Sequence, residues 1–361
     1  MSGALVELVA KGVQDVYLTD SVNGEFLFKT VYTRHRNFAQ APKRFEFLGG
    51  GIQNNGSSTV VIPSVGDLLT GMWLEGNNLS SALPGTTFEL YIGGQMIDRQ
   101  TYEYMSEIWS VYLAETPAKA DTLNNPSTQT NDHFFPLHFF FCDNNMFLPL
   151  VALQYHQVEI RIFWGPNVVV DNVVQINTVN GNLIYLDTAD RESITQRTVD
   201  ILITQVQKTS TSSVNLDLSV LNHPVKSIFF GRDIPLPYNQ NNLWSFDSAD
   251  ILLNGTYLLE KMTPVYFCTV QVYYNTTNGT TAYDYNSNSP KYTQYFMYNF
   301  CLNTSDYKPT GSCNFSRLDN AKMNFTTPSV TVGTLPDITL YALNYNVLRI
   351  KNGLAGILFS N

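Results

Sequence analysis

The chain of 361 residues is short of charge, with 21 Lys and Arg and 30 Asp and Glu making up only 14% of it. An ordinary soluble domain carries about 25%. The formal net charge of −9 argues against wrapping DNA, because displacing counterions from phosphates needs a basic face. Long apolar runs are also missing, and none approaches the ~20 residues of a membrane-crossing helix. Cys142, Cys268, Cys301 and Cys313 lie far apart with no C-x-x-C pair, so buried reduced thiols are expected rather than a disulfide framework. The opening MSGALVELVAKGVQD has no basic n-region and no continuous apolar h-region, so no export signal is expected.

Chemical motifs are equally scarce. His35, His133, His138, His156 and His223 include no H-x-H pair and no H-E-x-x-H, so His133, His138 and His156 read as isolated histidines on β faces rather than as metal ligands with Cys142. G-x-S-x-G is absent, and Gly311-Ser312-Cys313 offers no general base at a defined spacing. Glu89 and Glu159 could pair as in a jelly-roll glycoside hydrolase, but no pattern selects them. Neither a Walker A string nor G-x-G-x-x-G occurs. The one basic patch, Arg34-His35-Arg36 with Lys43 and Arg44, suits strand-face charges pairing with the acidic excess better than nucleic-acid binding. No catalytic, cofactor-binding or metal-binding residue is therefore assigned.

Aromatic residues, by contrast, are plentiful, with 22 Phe, 21 Tyr and 4 Trp. Such a chain can bury a large core and is not disordered. Its dominant local period is two: Val158, Ile160, Ile162 and Trp164 alternate with Glu159 and Arg161, and Phe88-Leu90-Ile92, Cys268-Val270-Val272 and Val199-Ile201-Ile203 repeat the pattern. Gly93-Gly94 reads as a two-residue hairpin loop. Gly49-Gly50-Gly51, Asn54-Asn55-Gly56, Pro84-Gly85, Asn180-Gly181 and Asn278-Gly279 read as further turns. Many short strands between such turns indicate an all-β sandwich or barrel.

Helix is expected at Arg99 to Glu115, with Tyr102, Met105, Ile108, Trp109 and Tyr112 on one face. It is also expected near the N-terminus, where Leu5, Leu8, Val9 and Val13 follow helical spacing. That short helix could cap the fold or contact a membrane or partner protein. The polar stretches 117–133 and 275–291 should be surface loops. The charged cluster Asp187 to Ser193 marks a boundary, giving an N-terminal helical segment at 1–14, domains at 15–188 and 197–361, and a linker at 189–196. Asn-x-Ser/Thr patterns begin at Asn55, Asn78, Asn254, Asn275, Asn278, Asn303, Asn314 and Asn324; in so Asn-rich a chain most are expected to arise by chance and to stay bare.

Several strings are more specific. Asp15-Val16-Tyr17-Leu18-Thr19 with Phe28 to Ala39, Glu89 to Arg99, Pro136 to Cys142 with Leu148 to His156, Asn222 to Lys226, Pro309 to Ala321, and Tyr345 to Ile350 through Asn361 occur in that order. Together they resemble the major capsid proteins of nucleocytoplasmic large DNA viruses, of the phycodnavirus and iridovirus kind. The chain departs from many relatives in being shorter, and Arg191-Glu192-Ser193 stands where an Arg-rich run is common.

The resemblance implies two consecutive eight-stranded antiparallel jelly rolls, a double jelly roll, with a short N-terminal helix. It also implies homotrimeric capsomers tiling an icosahedral shell, usually over an internal membrane, with minor capsid and penton proteins as further partners. No cofactor and no direct sequence-specific nucleic-acid binding are implied. Virions would be built in the host cytoplasm, and Leu5, Leu8, Val9 and Val13 become candidates for an inner-face assembly helix. A shortened capsid paralogue, or a jelly-roll attachment protein binding a glycan or receptor, is the alternative; a double-roll enzyme comes third.

Overall fold

The computed structural model describes residues 6, 9, 10, 13, 35–49, 51–116, 118–119, 133–232, 246–276, 295–326 and 337–359. Met1–Asn37 and Phe38–Asn361 are separate units. In the first, Ala10 N–H donates to the Val6 carbonyl over one helical turn, at 3.0 Å.

Within Phe38–Asn361 the period-two segments become strands. The first set is β1 (Phe38–Phe45), β2 (Ser57–Ile62), β3 (Leu68–Gly76), β4 (Thr87–Ile92), β5 (Gln95–Thr101), β6 (Phe134–Pro136), β7 (Val158–Phe163) and β8 (Ile176–Leu186). They form two sheets, ordered β1-β8-β3-β6 and β2-β7-β4-β5. The second set is β9 (Val199–Thr211), β10 (Asn215–Asp217), β11 (Pro224–Arg232), β12 (Ser248–Leu253), β13 (Thr256–Met262), β14 (Tyr295–Asn299), β15 (Ala321–Thr326) and β16 (Ile338–Lys351). Its sheets are ordered β9-β16-β11-β14 and β10-β15-β12-β13.

Counting strands from the start of each set, the two orders are identical, and all these ladders are antiparallel. Each set is an eight-stranded jelly roll. The helix Thr188–Gln196 lies between them, its first turn capped by the Asp187 carboxylate.

Alternation decides which side chains fill each roll. Phe88, Leu90 and Ile92 of β4 and Val158, Ile160 and Ile162 of β7 all point into the first core. The second core centres on Phe230, whose ring lies 5.2–6.1 Å from Phe267, Phe325, Phe296 and Phe246. Truncating such a residue to Ala costs about 3–5 kcal/mol. Turn chemistry closes the hairpins: Gly93 and Gly94 have φ of 59° and 81°, and Asn254 and Gly255 have φ of 48° and 81°. Both loops are two residues long, the form that matches strand twist.

Four local expectations are corrected. Asn180 and Gly181 sit inside β8, paired with Arg44 and Lys43, and no turn forms there; a Cβ on Gly181 would lie 2.6 Å from the Phe45 ring, so this glycine serves packing. Cys268-Val270-Val272 lies in helix, Tyr266–Val270 continuing as Gln271–Asn275. The predicted helix from Arg99 begins later, at Tyr104–Leu113, because Arg99 to Thr101 pair with Glu89 to Thr87 in β5. The histidines do not lie on β faces, since all five fall in connections. The four cysteines are free thiols, with Cys301 buried. The stretches 117–133 and 275–291 fall mostly outside the described residues, as does Asn278-Gly279.

Candidate functional site: the seam between the rolls

A jelly roll normally shows one face of each sheet to solvent, but β11 and β14 are buried on both. Ile228 and Phe230 face the second core, whereas Phe229, Tyr295, Met297 and Tyr341 join the core of the first roll. The element that covers them is the helix Tyr104–Leu113, wound in the wide i→i−5 form with Ala114 N–H donating to Trp109 O. Its Tyr112 ring lies 5.7 Å from Phe229, and its Tyr104 ring 5.8 Å from Tyr341.

Hydrogen bonds fix the register of this contact. Tyr112 OH donates to the Tyr295 carbonyl, and Thr304 Oγ1 donates back to the Tyr112 carbonyl at 3.1 Å. Thr101 Oγ1 and Tyr341 OH share a 3.0 Å bond. Gln205 Nε2 donates to the Ile97 carbonyl. The Asp98 carboxylate, 3% exposed, accepts the Val206 N–H at 2.9 Å, the Arg99 N–H at 2.9 Å and Gln100 Nε2 at 2.7 Å. Burial nevertheless pushes Asp98 up to about 6, since hydrogen bonds offset only part of its desolvation.

Beside this contact lies a cavity of about 40 Å³ lined by Gln100, Trp109, His138, Asp143, Lys226 and Tyr307 among others. Gln100 Oε1, His138 Nε2 and Tyr307 OH are buried there without a hydrogen-bond partner among the described residues. His138 stacks on Trp109 with centroids 3.6 Å apart, and burial holds its pKa down to about 3. Lys226 Nζ donates to the Asp306 carbonyl at 2.7 Å, and burial lowers its pKa. His138 and Lys226 lie inside strings quoted above; Gln100, Asp143 and Tyr307 sit one or two residues outside others. Together they bring side chains of both rolls to one cavity.

The other sequence candidates are dispersed. Glu89 and Glu159 do not face each other across a cleft: Arg99 pairs with Glu89 at 3.3 Å and Arg161 with Glu159 at 3.2 Å. His133 Nδ1 bonds to the Gly76 carbonyl, and His156 Nδ1 accepts the Ala355 N–H. Lys43 and Arg44 are exposed on β1, and Arg34 lies outside the described residues. Of the N-terminal set, Val9 and Val13 are exposed at 78% and 85%, while Leu5 and Leu8 lie outside the described residues. Sequence reasoning missed the seam, for which the signal was the run Ile228-Phe229-Phe230, three consecutive apolar residues where a half-wet strand would alternate.

Comparison with known proteins agrees with this architecture. Residues 190–356 match the family described as large eukaryotic DNA virus major capsid protein, and residues 26–206 match the major capsid protein N-terminus. The chain is 31% identical to the major capsid protein of Pyramimonas orientalis virus over the whole of both chains. It is 29% identical to that of Paramecium bursaria Chlorella virus 1, again over the whole of both. Among solved structures, the PBCV-1 virus capsid aligns with a TM-score of 0.78 at 25% identity, covering 93% of this chain and all of that one. The Faustovirus major capsid protein shares the fold, with a TM-score of 0.67 at 12% identity over 96% of each chain. The chain therefore belongs to the major capsid protein family of the nucleocytoplasmic large DNA viruses, as a self-associating double-jelly-roll structural protein of the virion shell and not an enzyme.

Proposed function

We propose that three copies of this chain close into one capsomer, whose six similar rolls make a pseudo-hexagonal tile of an icosahedral shell. The observation that carries this is the repeated strand order of the two rolls, locked by the seam. Residues 15–188 and 197–361 are read as the two domains and 189–196 as their linker, supported by sheets that pair only within each set of strands among the described residues. Subunit contacts of a permanent shell bury roughly 2,000–5,000 Å². A low charge density lets many copies pack edge to edge without strong repulsion.

Further contacts follow from the same reading. Minor capsid and penton proteins meet the tile at its edges and vertices. The N-terminal segment, through Leu5, Leu8, Val9 and Val13, contacts neighbours, minor proteins or an internal viral membrane inside the shell. Assembly takes place in the host cytoplasm. Light scattering on the purified chain, with electron microscopy of the particles, tests the tile: trimeric mass and six-lobed particles are expected. A monodisperse monomer at tens of micromolar, binding glycans instead, would sink it.

A further inference from the structure

The two rolls share more than strand order. Each carries a helix between its fifth and sixth strands, Tyr104–Leu113 after β5 and Tyr266–Val270 with Gln271–Asn275 after β13. Aligned without gaps, the segments read YMSEIWSVYL and YFCTVQVYYN, with tyrosine at the first and ninth positions of both. Tyr104 corresponds to Tyr266 and Tyr112 to Tyr274. Both helices begin in the same wide i→i−5 winding.

Their surroundings differ. The first helix is buried because Tyr104 and Tyr112 dock on the outer face of β9-β16-β11-β14. The second is anchored by Phe267 in the core of its own roll and by Val272 in the core cluster that holds the seam, yet Tyr273, Tyr274 and Val265 are exposed at 76%, 73% and 59%. The two tyrosine rings form an edge-on pair 4.9 Å apart.

The first roll, in turn, has a counterpart of the face that receives Tyr112, and among the described residues no helix lies over it. In the second roll one row across that sheet runs Lys208, Tyr341, Phe229, Met297. The row in the first roll runs Arg44, Asn180, Trp73, Pro136, with a basic residue on the first strand and an aromatic one on the third. Trp73 is half-buried, with half-buried Phe134 beside it at 6.5 Å.

We infer that the helix Tyr266–Asn275 docks on a second copy of this chain, Tyr273 and Tyr274 packing against Trp73 and Phe134 on the outer face of that copy's β1-β8-β3-β6 sheet. The contact repeats between chains what Tyr104–Leu113 makes within one. It is head-to-tail, so each copy offers one helix and one sheet, and such contacts make a closed ring when the rotation allows. This rests on the capsomer reading and adds the surfaces that build it.

Two full-length variants test it. Tyr273→Asp with Tyr274→Asp removes the helix side, and Trp73→Arg removes the sheet side. At a concentration low enough that the unaltered chain is also monomeric, melting curves of all three proteins should match, since neither change enters a core. By analytical ultracentrifugation the unaltered chain should form trimers, and each variant alone should associate at least ~30-fold more weakly, as expected for buried aromatic anchors.

Mixed one to one, the variants should form a dimer and nothing larger, because one intact helix still meets one intact sheet. Trimers that persist in the double tyrosine variant overturn the proposal. So do folded monomeric variants whose mixture yields no dimer. If aspartate lowers the melting temperature, Tyr273→Ser with Tyr274→Ser replaces it under the same criteria. An unaltered chain that stays monomeric defeats the capsomer reading itself, a result separable from a trimer indifferent to these residues.

Discussion

Asp98 of the first roll accepts the backbone N–H of Val206 in the second, at 2.9 Å, from a carboxylate that is 3% exposed. No cation offsets its burial among the described residues, and its pKa stands at about 6 instead of 3.8. The folded state therefore keeps a proton that the unfolded chain releases between these values. Stability from this group is full below pH ~4 and is lost as pH rises through ~6, by about 3 kcal/mol in all. Asp98→Asn removes the titration while leaving an oxygen for Val206. The difference in melting temperature between the two proteins should therefore shift in favour of the variant as pH rises from 4 to 7. A constant difference across that range would exclude Asp98 as the source.

His138 works in the opposite direction. Buried against Trp109, with Nε2 unpartnered among the described residues, it resists charging, and its pKa is about 3 against 6.5. Its contribution is fully present above pH ~6.5 and drains away as pH falls toward ~3, up to about 4–5 kcal/mol. His138→Phe keeps a ring on Trp109 and removes the buried nitrogen. Melting between pH 6.5 and 3.5 should show a shallower acid loss for the variant. A variant as acid-labile as the original would assign that loss to other groups.

Much of this fold is legible in the letters, and the failures have physical causes. β4 and β7 alternate because one face is wet, and Gly93-Gly94 closes a hairpin because both residues need positive φ. β11 does not alternate, because the seam buries its second face. Asn180-Gly181 imitates a turn, yet its glycine is there to clear the Phe45 ring. Cys268-Val270-Val272 imitates a strand because Val272 meets the core while Val270 is exposed, on different sides of a helix. The related helices Tyr104–Leu113 and Tyr266–Asn275 become visible as a repeat only once strand order aligns the rolls. The seam joins residues 98 and 206, a pairing that no local period encodes.

The sequons give a third expectation. Several of their asparagines are already engaged: Asn275 Nδ2 donates to Gln271, Asn78 Nδ2 to Gln175, and Asn254 and Asn314 Oδ1 accept backbone N–H groups. Asn324 lies in β15, between β10 and β12. A glycan replaces an amide proton and brings bulk, so these sites should remain bare. Intact mass of protein from purified virions should equal the chain mass at most of them, and hexose additions at several would contradict this.

The last prediction concerns the N-terminal segment. Val9 and Val13 are exposed apolar residues in a region that forms its own unit, apart from Phe38–Asn361. Exposed valines in a helical turn contribute little to any barrel core, so their apolar surface is available to something else. Replacing Leu5, Leu8 and Val9 by Asp puts three charges into the segment's apolar spacing and changes no residue of the two described core clusters. If the segment serves assembly, the variant folds and forms trimers, but shells fail or become heterogeneous. If it merely plugs a barrel, the variant misfolds or loses much of its thermal stability. Melting curves and light scattering separate the two outcomes. Normal shells from the triple variant would remove the segment from assembly, leaving closure of the ring to the surfaces of the rolls.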